Sequence, residues 1–332
     1  METIVFLQPL NAELTDAVQS RLPPGFALRV AEKTDVSHLH ACVADAKYVV
    51  TWDLGFDAAL FAAAPHVQLV HKWGVGVDNI DLDAARARGV TVARTTGSNA
   101  RPVAEFTVGA ILALSRKLIE AHTATQQGQW LKNQIWRGSS MLSGKTVGII
   151  GFGPIGQHVA RCLSGFGCTV LYNKRNRLLL QDELSQSVVY SLLPELLRVS
   201  DIVTLHVPLT NETRGMIDAA ALATMKRTAI LINVARGGVV KEADLAQALR
   251  DGVIAAAAVD VFEQEPPPPD HPLLHIENVL VTPHTAASAF DNTGNGINHL
   301  MRNITAFAQG DGIPASDIVV GPQGRQATAI FT

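Results

Sequence analysis

Three polar residues that follow apolar runs can together hold an anion and move a proton. Arg236 follows Ile230-Leu231-Ile232-Asn233-Val234-Ala235, Glu265 follows Val259-Asp260-Val261-Phe262-Glu263-Gln264, and His284 follows Val281-Thr282-Pro283. Ligands of open α/β sheets gather beyond the carboxyl ends of the strands, so polar residues there point to chemistry more strongly than polar residues elsewhere. The planar guanidinium of Arg236 can bind a carboxylate and polarise a carbonyl. The imidazole of His284 can protonate a forming alkoxide, while Glu265 orients it and keeps its protonated form available near neutral pH. Those groups meet the needs of 2-oxo acid reduction, with the hydride carried by a nicotinamide cofactor. Taken singly, each residue has a plain alternative: a surface arginine, a loop acid, and a histidine at a helix N-terminus.

The cofactor has its own signal. Val147-Gly148-Ile149-Ile150 runs into Gly151, Gly153, Pro154, Ile155 and Gly156, and Val159 and Leu163 continue with helical spacing. The first glycine of such a G-x-G-x-x-G loop allows a tight turn, the second lets backbone approach a pyrophosphate, and the third lets helix and strand pack. The helix N-terminus adds N–H donors and a positive dipole end. An acid expected about twenty residues later would bind the ribose 2′-hydroxyl of NAD. That acid is missing. The next strand ends Tyr172-Asn173-Lys174-Arg175, and the nearest carboxylates, Asp182 and Glu183, come later. Lys174 and Arg175 can pair with a 2′-phosphate, which favours NADP, with NAD as the alternative if the turn is only a solvated basic one.

The elements that must position these residues alternate between short apolar runs and helical patterns, as in parallel α/β layers. Strands are expected at 4–7, 28–31, 48–51, 69–73 and 90–93, then from 145, 169, 202, 229, 255 and 279. One long helix is expected over about 102–127 and a last one over about 286–309. The tetraproline 266–269 reads as a rigid loop.

Composition narrows the class. The 332 residues suffice for two domains, and 47% hydrophobic with 17% charged is an ordinary soluble balance. A net charge of −3 gives no footprint for nucleic acid or an anionic membrane. The N-terminus reads as a strand rather than a signal peptide, and no apolar run reaches spanning length. Cys42, Cys162 and Cys168 lack metal-ligand spacing, so no metal is expected; buried free thiols in a reducing cytoplasm are.

An ordered series of motifs resembles the D-isomer-specific 2-hydroxyacid dehydrogenase family over nearly the whole chain. The series is Trp73-Gly74-Val75-Gly76-Val77-Asp78-Asn79-Ile80, residues 99–105, the glycine loop, His206-Val207-Pro208-Leu209-Thr210 with Thr213, Asn233 to Gly238, Asp260 to Pro266, and Thr282 to Ala286. The resemblance implies two Rossmann-like doubly wound parallel-sheet domains with a cleft between them. Residues 1–98 and 288–332 would form a smaller flavodoxin-like substrate domain, and residues 99–287 the dinucleotide-binding domain. It implies that Arg236, Glu265 and His284 are catalytic, with His284 as proton donor, and that Val75 and Gly76 amides hold the substrate carboxylate. Thr107 would face the cofactor, Asp260 its carboxamide, and Val207 and Pro208 its adenine. Asn173, His206, Thr213, Val234 and Ala235 complete the implied cofactor set.

Amides on a Gly-Val-Gly turn suit an anion on physical grounds too. Asp78 and Asn79 read as turn-fixing residues, and His206 as a cofactor contact or a packing histidine. Trp52, Trp130 and Trp136 read as core or interface, with the substrate pocket as the other option. Lys174 stands where NAD-using members carry an acid, as in glyoxylate and hydroxypyruvate reductases, and Phe106 where many members carry a polar residue. Glu265 argues against a formate-dehydrogenase-like relative, which would carry glutamine. The expected protein is a cytoplasmic reductase of a small 2-oxo acid to a D-2-hydroxy acid, and the family implies a homodimer. The alternative from another class is a non-catalytic, dinucleotide-sensing corepressor-like binding protein.

Overall fold

The computed structural model describes residues 1–321, in two compact units: Met1–Asn99 with Ala289 onward, and Ala100–Ser288. The stretch 322–332, expected to belong to the first domain, lies outside the described residues.

The first unit alternates β1 (Glu2–Phe6), α1 (Ala12–Gln19), β2 (Phe26–Val30), α2 (Val36–Val43), β3 (Tyr48–Thr51), α3 (Ala58–Ala63), β4 (Leu69–Lys72), α4 (Leu82–Arg88) and β5 (Thr91–Arg94). Later in the chain it gains α13 (Thr293–Gln309) and β13 (Ile318–Val320). Helix starts are written in side chains. Asn11, Asp35, Asp57 and Asp81 each accept the amide three residues on, an N-cap worth about 1 kcal/mol apiece. Strand order is β13-β5-β4-β3-β1-β2, a flavodoxin-like 2-1-3-4-5 arrangement with β13 added antiparallel to β5. Alternate residues face opposite layers: Val5, Val49, Val70 and Val92 pack with Phe56 and Phe61, whereas Ile4, Phe6, Val50 and Leu69 pack with Ile297, Leu300 and Ile304 of α13.

The second unit opens with α5 (Ala100–Ser115), α6 (Leu118–Gln126) and α7 (Lys132–Gly138). There follow β6 (Thr146–Ile150), α8 (Pro154–Leu163), β7 (Thr169–Asn173), α9 (Leu180–Gln186), β8 (Val188–Tyr190), α10 (Leu193–Val199), β9 (Ile202–Leu205), α11 (Ala219–Thr224), β10 (Ile230–Asn233), α12 (Glu242–Arg250), β11 (Ala256–Val259) and β12 (Val279–Val281). All seven strands are parallel in the order β12-β11-β10-β9-β6-β7-β8, the Rossmann order with a seventh strand. The order reverses between β6 and β9, which makes the carboxyl ends of those strands the switch point where ligands bind.

Four expectations need correction. The helix expected over 102–127 is two, because Lys117 takes a left-handed φ of 51° and breaks it. The last helix starts at Thr293 rather than near 286, and the segment before it is a loop pinned to Asp260 through the Thr285 and Ala286 amides. Cys162 is exposed, and Cys42 and Cys168 are half-buried, so the thiols are free but not core. Trp130 and Trp136 are 80% and 74% exposed and belong to no core of their own unit. Among the described residues no helix is long and apolar enough to cross a membrane, and no group of three or more His, Cys, Asp or Glu can hold a metal ion.

Candidate active site

In the second unit the expected polar residues lie on the loops that leave the carboxyl ends of β6, β7, β9, β10, β11 and β12. Gly151 leaves β6 at φ 93°, and a Cβ there would come within 2.5 Å of the His206 carbonyl beyond β9. Only glycine lets the two strand ends approach so closely. Gly156 is equally committed, its Cβ position falling 2.4 Å from the Gly151 carbonyl oxygen. Gly153 differs: a Cβ there would meet nothing within 4 Å, and no side chain caps α8, which starts at Pro154 and carries Ile155 and Gly156 in its first turn. Packing therefore explains Gly151 and Gly156, whereas Gly153 and the uncapped α8 amides leave a cradle that fits a pyrophosphate.

Beyond β7, Asn173 donates its Nδ2 to the Ser191 carbonyl at 2.8 Å, Lys174 is half-buried, and Arg175 is exposed. Burial lowers the Lys174 pKa, and no hydrogen bond or ion pair joins this amine to another described residue. Glu183 cannot take the place of the missing acid. It is turned inward, accepting Tyr172 Oη at 2.6 Å and the Arg177 guanidinium at 2.7 and 2.8 Å.

His206 has Nε2 hydrogen-bonded to Thr204 Oγ1 at 3.0 Å, while Nδ1 is sealed from solvent with no partner. Burial pushes its pKa down to about 3, so it is a neutral, packed histidine. Val207 is half-buried and Pro208 exposed, and Thr213 Oγ1 fixes their loop by donating to the Pro208 carbonyl at 2.6 Å and accepting the Thr210 amide at 2.8 Å. Thr107 is fully buried in α5, its hydroxyl donating to the Val103 carbonyl at 2.7 Å.

The loops after β10, β11 and β12 form one constellation. Val234 and Ala235 are buried, and the Asn233 side chain fixes the turn that presents Arg236, accepting the Ala235 amide and donating to the Arg236 carbonyl at 3.0 Å. Asp260, 1% exposed, clamps the next loop: it accepts Thr282 Oγ1 at 2.6 Å and the Thr285 and Ala286 amides at 2.9 Å each. Its carbonyl accepts the His284 amide at 2.8 Å. The clamp holds His284 at a left-handed φ of 53°, a costly conformation for a residue with a Cβ. Its Nδ1 donates to Glu265 Oε2 at 2.7 Å, and Glu265 Oε1 accepts the Phe262 amide at 3.0 Å. The Glu265 hydrogen bond raises the His284 pKa against burial and the nearby Arg236 charge. Burial would raise Glu265, but the His284 and Phe262 hydrogen bonds and the His284 and Arg236 charges hold it below the usual carboxylate range. With Nδ1 occupied, Nε2 is the ring nitrogen left to exchange a proton.

Val75 and Gly76 lie in the first unit, on the turn after β4, and their amides donate to no other described group. Asn79 braces that turn by accepting Lys72 Nζ at 2.9 Å and donating to the Asp53 and Leu54 carbonyls. The sequence had not singled out Asn233, Thr204 or Thr282 for these supporting contacts. The one available signal was a polar side chain inside, or just after, an apolar strand.

Known proteins share this architecture. A family model described as the NAD-binding domain of D-isomer specific 2-hydroxyacid dehydrogenases matches residues 108–286. A glyoxylate reductase from Thermofilum pendens is 42% identical over 261 residues, 78% of this chain and 77% of its own length. An NADPH-dependent glyoxylate/hydroxypyruvate reductase from Sinorhizobium meliloti, solved with citrate, superimposes with a TM-score of 0.82 at 29% identity, covering 98% of this chain and 100% of its own. An NAD-dependent formate dehydrogenase from Staphylococcus aureus, solved with NAD, has a TM-score of 0.84 at 26% identity, covering 97% and 100%.

Proposed function

The chain belongs to the D-isomer specific 2-hydroxyacid dehydrogenase family, and from that premise we propose that it reduces a small 2-oxo acid of the glyoxylate or hydroxypyruvate kind to the D-2-hydroxy acid. The observation that carries this reading is the His284–Glu265 pair at 2.7 Å, held by the Asp260 clamp on the loop next to Arg236.

In this reading the first unit is the substrate domain, and the Val75 and Gly76 amides bind the substrate carboxylate. Arg236 shares that carboxylate and polarises the keto oxygen. His284 donates the proton on Nε2 to that oxygen, and Glu265 stabilises the charged imidazole before transfer and keeps its ring orientation afterward. Asp260 is a positioning residue for the His284 loop, with both carboxylate oxygens already accepting hydrogen bonds. When bound, the dinucleotide supplies the hydride. Gly151, Gly153, Pro154, Ile155 and Gly156 form its pyrophosphate cradle, with Asn173, His206, Val207, Pro208, Thr213, Val234 and Ala235 along the same strand ends; Thr107 joins the set only indirectly, through packing.

NADP is the preferred cofactor in this proposal. Lys174 and Arg175 stand where the ribose acid is missing, Glu183 is consumed by Arg177 and Tyr172, and Lys174 has no other partner among the described residues. A homodimer built on the second unit is part of the same reading, because Leu118, Ile119, Trp130, Trp136 and Met141 concentrate exposed apolar surface on residues 118–141. So is a cytoplasmic setting, which rests on the cysteine usage.

Purified protein with NADPH is expected to oxidise the cofactor in the presence of glyoxylate or hydroxypyruvate, and more slowly with NADH. Tight NADPH binding without turnover on these or bulkier 2-oxo acids would instead support the dinucleotide-sensing alternative.

A further inference from the structure

We propose that the first unit carries a second anion site, on the outer face of α13, that binds the carboxylate or phosphate group of a small metabolite. The inward face of α13 buries Ile297, Leu300 and Ile304 against the sheet. Its other side, with Asn295, Asn298, His299 and Arg302, faces the turn Thr96-Gly97-Ser98 across a pocket of about 300 Å³. That volume sits at the small end of metabolite sites.

The lining is chemically one-sided. It contains a guanidinium, two amides, an imidazole and two hydroxyl-bearing residues, with no carboxylate and no apolar side chain. Among the described residues Arg302 makes no hydrogen bond or ion pair. Arg29, Arg86, Arg177 and Arg198 each hold a carboxylate. An unpaired guanidinium amid amides offers five donors in a fork that matches a carboxylate or phosphate.

The walls are fixed from below. Asp317, 2% exposed, accepts His299 Nε2 at 2.6 Å, Asn303 Nδ2 at 3.0 Å and the Thr96 amide at 3.2 Å. Burial would raise its pKa, but these partners hold it near 2, so the carboxylate stays ionised and engaged. With Nε2 pinned, Nδ1 is the His299 nitrogen left for the pocket. The turn is tied to the start of the helix as well, by Asn292 Nδ2 donating to the Ser98 carbonyl at 2.8 Å. An adjoining cavity of about 490 Å³ shares Asn298 and Arg302 and adds Arg21, but Asp311 also lines it, so the anion belongs in the first pocket.

The test is calorimetric titration of the full chain with inorganic phosphate and, separately, malonate. Wild type, Arg302→Met, Asn298→Asp and Arg236→Met are compared, with melting temperatures in anion-free buffer as the check on folding. At least one anion is expected to show a binding component that Arg302→Met and Asn298→Asp each weaken about tenfold or more, as loss of a charge-assisted pair or gain of a facing carboxylate requires. Arg236→Met should leave that component unchanged. A response to phosphate alone assigns a phosphate ester, and a response to malonate alone a carboxylate. Binding that is insensitive to both α13 variants, or that disappears only in Arg236→Met, overturns the site, and does so whether or not the protein turns over 2-oxo acids. If Arg302→Met does not fold, Asn298→Asp decides alone.

Discussion

Replacing Glu265 by glutamine tests the proton-donor assignment without removing the donor. Glutamine keeps the size but has one acceptor oxygen for the two donors, His284 Nδ1 and the Phe262 amide, so the change removes the charge together with one of those hydrogen bonds. Opposite unit charges at the observed 2.7 Å are worth about 1.5 kcal/mol in a water-like dielectric and about 6 kcal/mol at an effective constant near 20. The side chains of His284 and Glu265 are 46% and 37% exposed, so screening puts the value toward the lower end, about 1–2 kcal/mol. Reduction needs His284 protonated. Because Glu265 raises the His284 pKa, its loss must move the alkaline limb of kcat/KM to lower pH, with a rate loss of about tenfold on that limb and little at acid pH.

The same pair has a stability signature whose signs follow from linkage. The raised His284 pKa contributes stability below its ordinary 6.5 that is lost as pH rises through the folded value. The lowered Glu265 pKa contributes stability above its ordinary 4.5 that is lost as pH falls through the folded value. The difference in melting temperature between wild type and Glu265→Gln is therefore expected to be largest between those ordinary values and to shrink on either side. Stopped-time assays of NADPH oxidation across pH, with thermal melts in the same buffers, measure both. An alkaline limb that stays in place or moves upward in Glu265→Gln refutes the argument.

Other expectations are more direct. His284→Ala should lower kcat for reduction by about 10²-fold or more through loss of the general acid, and near-normal turnover removes that role. Replacing Lys174 and Arg175 by alanine should raise KM for NADPH about tenfold or more while leaving NADH nearly unchanged, and an equal response of both cofactors rejects the 2′-phosphate assignment. Gly151→Ala should destabilise the fold by several kcal/mol, since its Cβ would lie 2.5 Å from the His206 carbonyl at a φ of 93°. Gly153→Ala should fold normally, with nothing within 4 Å of its Cβ, yet bind NADPH about tenfold or more weakly; circular dichroism with cofactor titration separates the two.

Much of this architecture was legible because local chemistry and global topology agree. Asn11, Asp35, Asp57 and Asp81 announce helix starts, and the apolar run into Gly151 announces the switch-point strand. The polar residues after strands could be placed on one edge of the second sheet because seven parallel strands put all their carboxyl ends there. What failed was the reading that needed backbone rotations and side-chain pairings, which residue type alone does not dictate. Lys117 breaks an otherwise continuous helical pattern by a backbone rotation that no residue type there demands. Spacing set Glu183 aside as too far past the strand end, but did not show that Tyr172 and Arg177 turn it inward. Three residues are too few for Val188–Tyr190 to reveal strand alternation.

The left-handed backbone at His284 bears on how this protein can change over generations. That conformation costs about 1 kcal/mol or more for most residues with a Cβ, whereas glycine escapes the cost and asparagine tolerates it better. A lineage that kept the fold only to sense a dinucleotide would gain stability by drifting to either residue, with no price in binding. Backbone ease and the His284–Glu265 pair therefore pull on this one position in opposite directions.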